Sequence, residues 1–543
     1  MTNGVSKAEE LAESQQSISI AEFFERNRHL LGFDNKRKGL LTAVKEGVDN
    51  ALDACEEADV LPDITVEIHE ISGDKYRLVI EDNGPGIVKD QVPKIFGKLL
   101  YGSKFHQLKM QRGQQGIGIS AAVMYAQLTT GKPARITSKI APDKPAKYFE
   151  LKIDTETNEP VIKTERERDW PNKDHGTRIE LDLIGSYARG RQSIDEYIRE
   201  TAIINPHASI TYLNPRGKQR MLVRGTEDKP PKTDAIKPHP YGVEIGALMK
   251  MAERTDASTM NQFLKNDFTR VGRKTAKTIL ETAKVRDRKD PSKMGRGDME
   301  NLMEAIQDTD IMMPPTDCIA PIGAETLEKG LKKEINAEFY TSTTRKPNVY
   351  RGNPFLIEAA LAWGGELDED GLCNVLRFAN RVPLLYQRGA CAATKGIQNT
   401  NWRNYNVSQS KGSRPKGPMT ILVHIASVWV PFTSEAKEAI AHYPEILKEV
   451  KLAVQQLGRD LKSYLNKKNK VKEELKKRRY IKTYIPHIAE ALADLNGLND
   501  NHQETVTERL KTILEKDRGE VEDIDFDPDA NDEYDESLAE LGR

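Results

Sequence analysis

Cysteine is scarce, with four in 543 residues. Cys55, Cys318, Cys373 and Cys391 lie far apart, which excludes a disulfide scaffold and a close thiolate pair for a metal. Such thiols suit a reducing cytoplasm. Long apolar runs are missing as well. The longest, residues 419–432, is too short to span a membrane and is interrupted by His424 and Ser427. The first twenty residues lack a charged start followed by an apolar run, so no signal peptide is expected. No internal repeat is visible. Net charge is nearly absent too: 82 Lys and Arg against 83 Asp and Glu leave −1. Taken whole, that balance speaks against a chain dominated by nucleic-acid contacts. The average hides a segregation, because from residue 519 onward eleven acids face a single Arg. Residues 519–543 therefore predict a disordered acidic tail, and residues 1–518 carry +9, a body suited to salt-sensitive contact with nucleic acid.

At roughly 150 residues per domain, the chain predicts three or four domains. Its start becomes amphipathic at residues 18–31, where Phe23, Phe24, Leu30 and Leu31 need a covering surface. This stretch is expected to be a helix or an arm laid on a neighbour. Helices are expected over 40–58 and 119–128, and strands over 64–69, 76–81, 134–139, 147–153 and 177–183. Helices mixed with antiparallel strands read as a two-layer α/β domain ending near residue 225. Residues 226–238 are rich in Pro and Lys and read as a linker. A mostly helical segment runs to about residue 306, with apolar clusters around Gly272 and a basic stretch after it. Beyond Pro314 and Pro315, helical and strand patterns alternate to about residue 450, with a strand over 419–430. A long charged helix is expected over 440–480, and Pro486 is expected to separate it from a further short helix.

Chemistry concentrates in four places. Glu46, Asn50 and Asp53 recur at spacings of four and three, which sets them on roughly one helix face. A carboxylate there can activate a water, and an amide oxygen suits Mg²⁺, although a solvated face explains the same spacing. Asp82-Asn83-Gly84-Pro85-Gly86 follows a strand; its glycines permit tight backbone paths, and Asp82 is placed to accept an amino group such as adenine's. A plain reverse turn would use the same residues. Arg112-Gly113-Gln114-Gln115-Gly116-Ile117-Gly118-Ile119 leads into a helix, so backbone N–H groups can approach phosphates. It is neither a Walker A loop nor a dinucleotide fingerprint. His175-Gly176-Thr177-Arg178 opens a later strand with a hydroxyl.

The order and spacing of these four pieces resemble the Bergerat-fold ATPases, the superfamily of gyrase-type topoisomerases, mismatch-repair ATPases, certain heat-shock chaperones and sensor histidine kinases. Gly102-Ser103-Lys104-Phe105-His106, the paired glutamines of the glycine loop, Arg351-Gly352-Asn353-Pro354-Phe355 and Asn380-Arg381-Val382-Pro383-Leu384 carry the likeness further. They resemble the B subunits of archaeal type IIB DNA topoisomerases, topoisomerase VI, over nearly the whole chain to about residue 480.

That resemblance implies an α+β multidomain architecture and an ATP-hydrolysing enzyme subunit. Residues 1–228 would be a Bergerat-fold two-layer α/β ATPase domain with an N-terminal arm. Residues 229–306 would be a helix–two-turns–helix domain, residues 307–480 an α/β transducer with a long stalk helix, and residues 481–543 a short helical extension and the acidic tail. That last segment is too short, too helical and too acidic for the immunoglobulin-like domain some members carry. The resemblance makes Glu46 the general base and Asn50 the Mg²⁺ ligand. Asp82 and Thr177 would read adenine, Gly84 and Gly86 would shape its pocket, and Asp53 would support it. Gly113, Gln114, Gln115, Gly116, Ile117, Gly118 and Ile119 would wrap the phosphates, with Lys98, Ser103 and Lys104 near that lid. Lys437 would come from the transducer to the γ-phosphate. Arg270, Arg273, Lys274 and Lys277 would offer contacts to double-stranded DNA. The implied partners are the topoisomerase VI A subunit, in an A2B2 heterotetramer, and a second copy of this chain joined on ATP binding. DNA cleavage would belong to the A subunit, so no tyrosine here is assigned to it. Other Bergerat ATPases, such as a chaperone, would need neither DNA nor that partner, and a nucleotide-gated DNA-binding scaffold would not need Glu46.

Overall fold

The computed structural model describes residues 18–102, 107–113, 116–434, 437–497 and 500–518. The expectations for residues 1–17, Ser103, Lys104, Gln114, Gln115 and the acidic tail lie outside the described residues.

Alternation builds the first unit. Ile64, Val66 and Ile68 in β1 (Asp63–Ser72) and Tyr76, Leu78 and Ile80 in β2 (Lys75–Glu81) form one apolar face, with Val66 opposite Ile80 and Ile68 opposite Leu78. The other strands are β3 (Ala134–Lys139), β4 (Ala146–Ile153), β5 (Pro160–Arg168), β6 (Gly176–Ile184), β7 (Ser209–Leu213) and β8 (Gln219–Leu222). They form an eight-stranded sheet in the order β5-β4-β3-β6-β2-β1-β7-β8, antiparallel except for the β1–β7 pair. Helices Lys36–Glu57, Gly118–Thr130 and Ile194–Ile204 cover its apolar face, and Leu40, Val44, Val48 and Tyr197 share one core with the strands. Asn35 starts the first of these helices by accepting the Lys38 N–H at 3.0 Å. Strands β5, β7 and β8 are not among those expected from the sequence. β5 is a charged edge strand with little apolar face, and the other two are short. The amphipathic start forms a helix, Ile20–Arg26, capped by Ser19, and Phe24 and Leu31 pack onto this chain's own core.

Helices Ile245–Arg254, Met260–Asp267, Arg273–Thr282 and Arg296–Asp308 form a second unit around Phe263, Leu264, Ile279, Leu280 and Leu302. The third unit is a sheet of β9 (Phe339–Thr344), β10 (Asn348–Tyr350), β11 (Asn353–Trp363), β12 (Asn374–Ala379), β13 (Val382–Pro383) and β16 (Met419–Ser427). A two-stranded ribbon, β14 (Ser408–Gln409) and β15 (Pro415–Lys416), stands apart. Strand β16 is buried along its whole length and β11 along nearly all of its own, because both sheet faces are covered. On one face lie helices Ala392–Gln398 and Pro444–Asn496; on the other lies Ala324–Glu334, in a core that also takes Ile203 and Ile204 from the first unit.

The expected break at Pro486 does not occur. One helix runs for 53 residues, Pro444–Asn496, with Pro486 inside it, a length of about 80 Å at the usual rise. Pro486 is exposed, so water can satisfy the carbonyl that loses its N–H partner. The stop comes instead at Gly497, a left-handed cap at φ 63, before the final helix Asp500–Arg518. Among the described residues no helix is long and apolar enough to cross a membrane.

Candidate active site

Helix Lys36–Glu57 places Lys38, Thr42, Glu46, Asn50 and Ala54 at every fourth position, neighbours in a stripe that winds slowly around the helix. The first four of these line a cavity of about 500 Å³, within the usual range for small-molecule sites. Gly113, Gly116, Ile117, Gly118 and Ile119 form a facing wall where the glycine loop enters helix Gly118–Thr130. Leu384, Leu385, Tyr386, Lys437 and Glu438 close another side from the third unit. The cavity therefore belongs to two units at once, and Lys437 lines it together with Glu46 and Asn50.

The glycines have separate reasons. Gly116 sits at φ 61, in the left-handed region. A Cβ on Gly118 would lie 1.7 Å from Glu46 Oε2, so a larger residue there would push the carboxylate out of the position it holds beside the loop. Asn50 donates its side-chain N–H to the Glu46 carbonyl at 2.8 Å, so Oδ1 is the end of its amide left to act as an acceptor. Behind Glu46, the buried Asp49 accepts the Tyr197 hydroxyl at 3.0 Å, and burial pushes its carboxyl up to about 7.

Asp82, Gly84, Gly86 and Thr177 form a neighbouring cluster outside that cavity lining. Asp82 Oδ1 accepts the N–H groups of Gly84 at 2.8 Å and Thr177 at 3.1 Å, and neither donor uses Oδ2. Burial nevertheless lifts the carboxyl to about 6. Gly86 stands at φ 71 with a backbone carbonyl so near that a Cβ would meet Lys139 O at 2.0 Å. Ala54, one turn beyond Asn50, meets the cluster beside Gly84, where an added Cβ would lie 3.3 Å from the Ala54 methyl. One helix face thus runs from the cavity to the Asp82 cluster.

Two other anticipated residues lie elsewhere. Asp53 is ion-paired with Arg112 at 2.8 Å and lines a second cavity of about 310 Å³. Lys98 is paired with Glu159 and does not line the first cavity. Arg112 also binds Glu56 at 2.6 Å and Asn205 at 2.6 Å, while His207 holds the same Glu56 at 2.8 Å. Next to this network, Asn380 donates to the Gln111 carbonyl at 3.0 Å, and the Arg381 N–H donates to His424 at 3.0 Å. The root of the glycine loop is therefore tied directly to the third unit. In the second unit, Arg270 donates to the Met313 carbonyl at 2.9 Å, whereas Arg273, Lys274 and Lys277 lie on helix Arg273–Thr282, Arg273 and Lys274 in its exposed first turn.

Sequence reasoning missed Lys38, Thr42, Gln387 and Glu438. The first two carried a signal, since they continue the four-residue spacing of Glu46 and Asn50 backwards along the helix. Gln387 and Glu438 carried none, because only the fold brings Glu438 to Lys38 on the helix and Gln387 to Glu438.

Residues 314–477 match the family described as "Topoisomerase VI B subunit, transducer". Residues 35–183 match that described as "Histidine kinase-, DNA gyrase B-, and HSP90-like ATPase". The B subunit of type 2 DNA topoisomerase 6 from Methanococcoides burtonii is 50% identical over 488 residues, covering 90% of this chain and 78% of that protein. Its counterpart from Archaeoglobus fulgidus is 49% identical over 483 residues, covering 88% of this chain and 79% of that protein.

Proposed function

The chain belongs to the family of B subunits of type 2 DNA topoisomerase 6, and on that premise we propose how its ATPase site works. It is the ATP-driven subunit of a type IIB DNA topoisomerase. The observation that carries the reading of the site is one cavity in which Glu46 and Lys437 meet from two different units. Glu46 takes a proton from the water that attacks the terminal phosphate. The N–H groups of the glycine loop and the start of helix Gly118–Thr130 receive the phosphate oxygens. Lys437 meets the negative charge that develops there, and its unit thereby senses hydrolysis. Asp82 Oδ2 accepts the adenine amino group, with Thr177 beside it, so the nucleotide lies along the helix face from Ala54 to Glu46. That span is about 12 Å at the usual rise per residue. Asn50 Oδ1 would hold Mg²⁺, which supplies positive charge to the phosphates. The conformation of Asn50 supports this, because its N–H end is already committed to the helix.

Exposed surfaces support the reading of the partners. Tyr480, Tyr484 and Ile488 are exposed at every fourth residue near the end of the long helix, with Leu495 beyond them. This apolar row suits a protein partner, and we assign it to the A subunit of an A2B2 assembly in the cytoplasm. ATP binding joins two copies of this chain around a duplex, which Arg273, Lys274 and Lys277 contact through phosphates. Arg270 contributes less directly, since its side chain is engaged with Met313.

Mixed with its A-type partner, the chain is expected to relax supercoiled DNA only when ATP and Mg²⁺ are present. ATP hydrolysis without relaxation in that mixture would instead favour a chaperone-like ATPase. Within the site, Gly118→Ala is expected to displace the Glu46 carboxylate and lower turnover by about tenfold while a non-hydrolysable ATP analogue still binds. Unchanged turnover would mean that the Glu46 position seen here is not the working one.

A further inference from the structure

Lys437 projects from a constrained turn. Its φ is 52, in the left-handed region, and its N–H donates to Ser434 O at 3.0 Å. Thr433 N–H donates to Ala439 O at 2.9 Å across the same turn. The next residue, Glu438, is clamped on both carboxylate oxygens. Lys38 Nζ lies 2.8 Å from Oε1, and Gln387 Nε2 lies 2.6 Å from Oε2. Gln387 belongs to the third unit, but Lys38 stands in the first turn of helix Lys36–Glu57. The ion pair therefore crosses between the units, two turns along the helix from Glu46. It is sheltered, with side-chain exposures of 21% for Lys38 and 10% for Glu438, so water and salt weaken it less than a surface pair. Lys38 also sits 5.0 Å from the centre of the Tyr386 ring.

We propose that the Lys38–Glu438 ion pair is a latch that positions Lys437 at the ATPase cavity. The inference rests on the reading of Lys437 given above. Consecutive Cα atoms are about 3.8 Å apart, so fixing Glu438 against the helix fixes where the Lys437 side chain starts. The latch is also built to release. Lys38 is shared with Asp34, 2.7 Å away on the same stretch of chain, and Glu438 is shared with Gln387. When the third unit swings away, Lys38 keeps one carboxylate and Glu438 keeps one donor. Neither group is left without a partner, so opening avoids the heavy penalty of stranding a buried charge. Lys38 and Glu438 are positioning residues: they act on the phosphate only through Lys437.

The test is steady-state ATP hydrolysis by the full chain with Lys38→Met, Glu438→Gln, the double variant, Lys38→Arg and Lys437→Ala. Lys38→Met and Glu438→Gln are each expected to lower kcat about tenfold with KM nearly unchanged, and the double variant to be no worse than either single. Lys38→Arg, which keeps the charge, is expected to stay within about twofold of the parent. Binding of a non-hydrolysable ATP analogue reports whether each variant is folded. Multiplying losses in the double variant would overturn the latch, as would Lys38→Arg failing as badly as Lys38→Met. If Lys437→Ala slows turnover and Glu438→Gln does not, the latch falls while the role of Lys437 stands. If Lys437→Ala changes nothing, the reading of Lys437 falls first and takes the latch with it.

Discussion

Glu46→Gln is expected to leave ATP binding intact and to cut hydrolysis by about a hundredfold or more, the usual worth of a positioned general base. The substitution keeps the shape of the side chain, so the close approach of Gly118 survives. It also keeps the Glu46 backbone carbonyl that orients Asn50. Only the proton acceptor is lost. Asp49 is no ready substitute, because it is buried behind the helix face and engaged by Tyr197. Binding of a fluorescent nucleotide and release of phosphate separate the two effects. Turnover within about twofold of the parent would remove Glu46 from the base role.

The contrast between Glu46 and Asp53 shows what a helical spacing can and cannot decide. Spacing alone placed both on one face, but Asp53 lies seven positions beyond Glu46, where the face also borders the neighbouring segment. Asp53 is only about 20° from Glu46 around the helix but about 10 Å further along its axis, beyond the cavity that Lys38, Thr42, Glu46 and Asn50 share, and there Arg112 takes its carboxylate. That partner was hidden, because Arg112 looks in sequence like the first residue of a phosphate loop. Burial decides its use instead: its side chain is 3% exposed, and Asp53 and Glu56 from one helix and Asn205 from another segment engage both of its terminal nitrogens. The α/β pattern was legible where one sheet face is dry, as in β1 and β2. It failed at β5, whose charged residues lie on an edge. Pro486 misled for a related reason. A proline rule counts the lost hydrogen bond, but not the solvent that replaces it on an exposed stalk.

Arg112→Met is expected to destabilise the chain by about 3–5 kcal/mol, because it strands buried carboxylates rather than replacing a whole ion network by apolar groups. Asp53 and Glu56 would lose their cation, and Asn205 its donor. The pH dependence gives a sharper check. Burial alone would raise the Glu56 carboxyl, but Arg112 and the His207 hydrogen bond outweigh it and hold that group well below the usual carboxylate range. A depressed folded value contributes stability above the unfolded carboxylate pKa, about 4.3, and loses it as pH falls toward the folded value. The deficit of Arg112→Met should therefore be largest at neutral pH and shrink below about pH 4, once the unfolded carboxylates are protonated. Denaturant unfolding of parent and variant at both pH values measures this, and an equal deficit at the two would rule out the ionic explanation. The loss should also reach beyond stability. Arg112 lies between Gln111, which is bonded to Asn380 of the third unit, and Gly113, which lines the cavity. A variant held folded in mild conditions should therefore couple the two units less tightly, and its ATP turnover should fall further than its nucleotide binding.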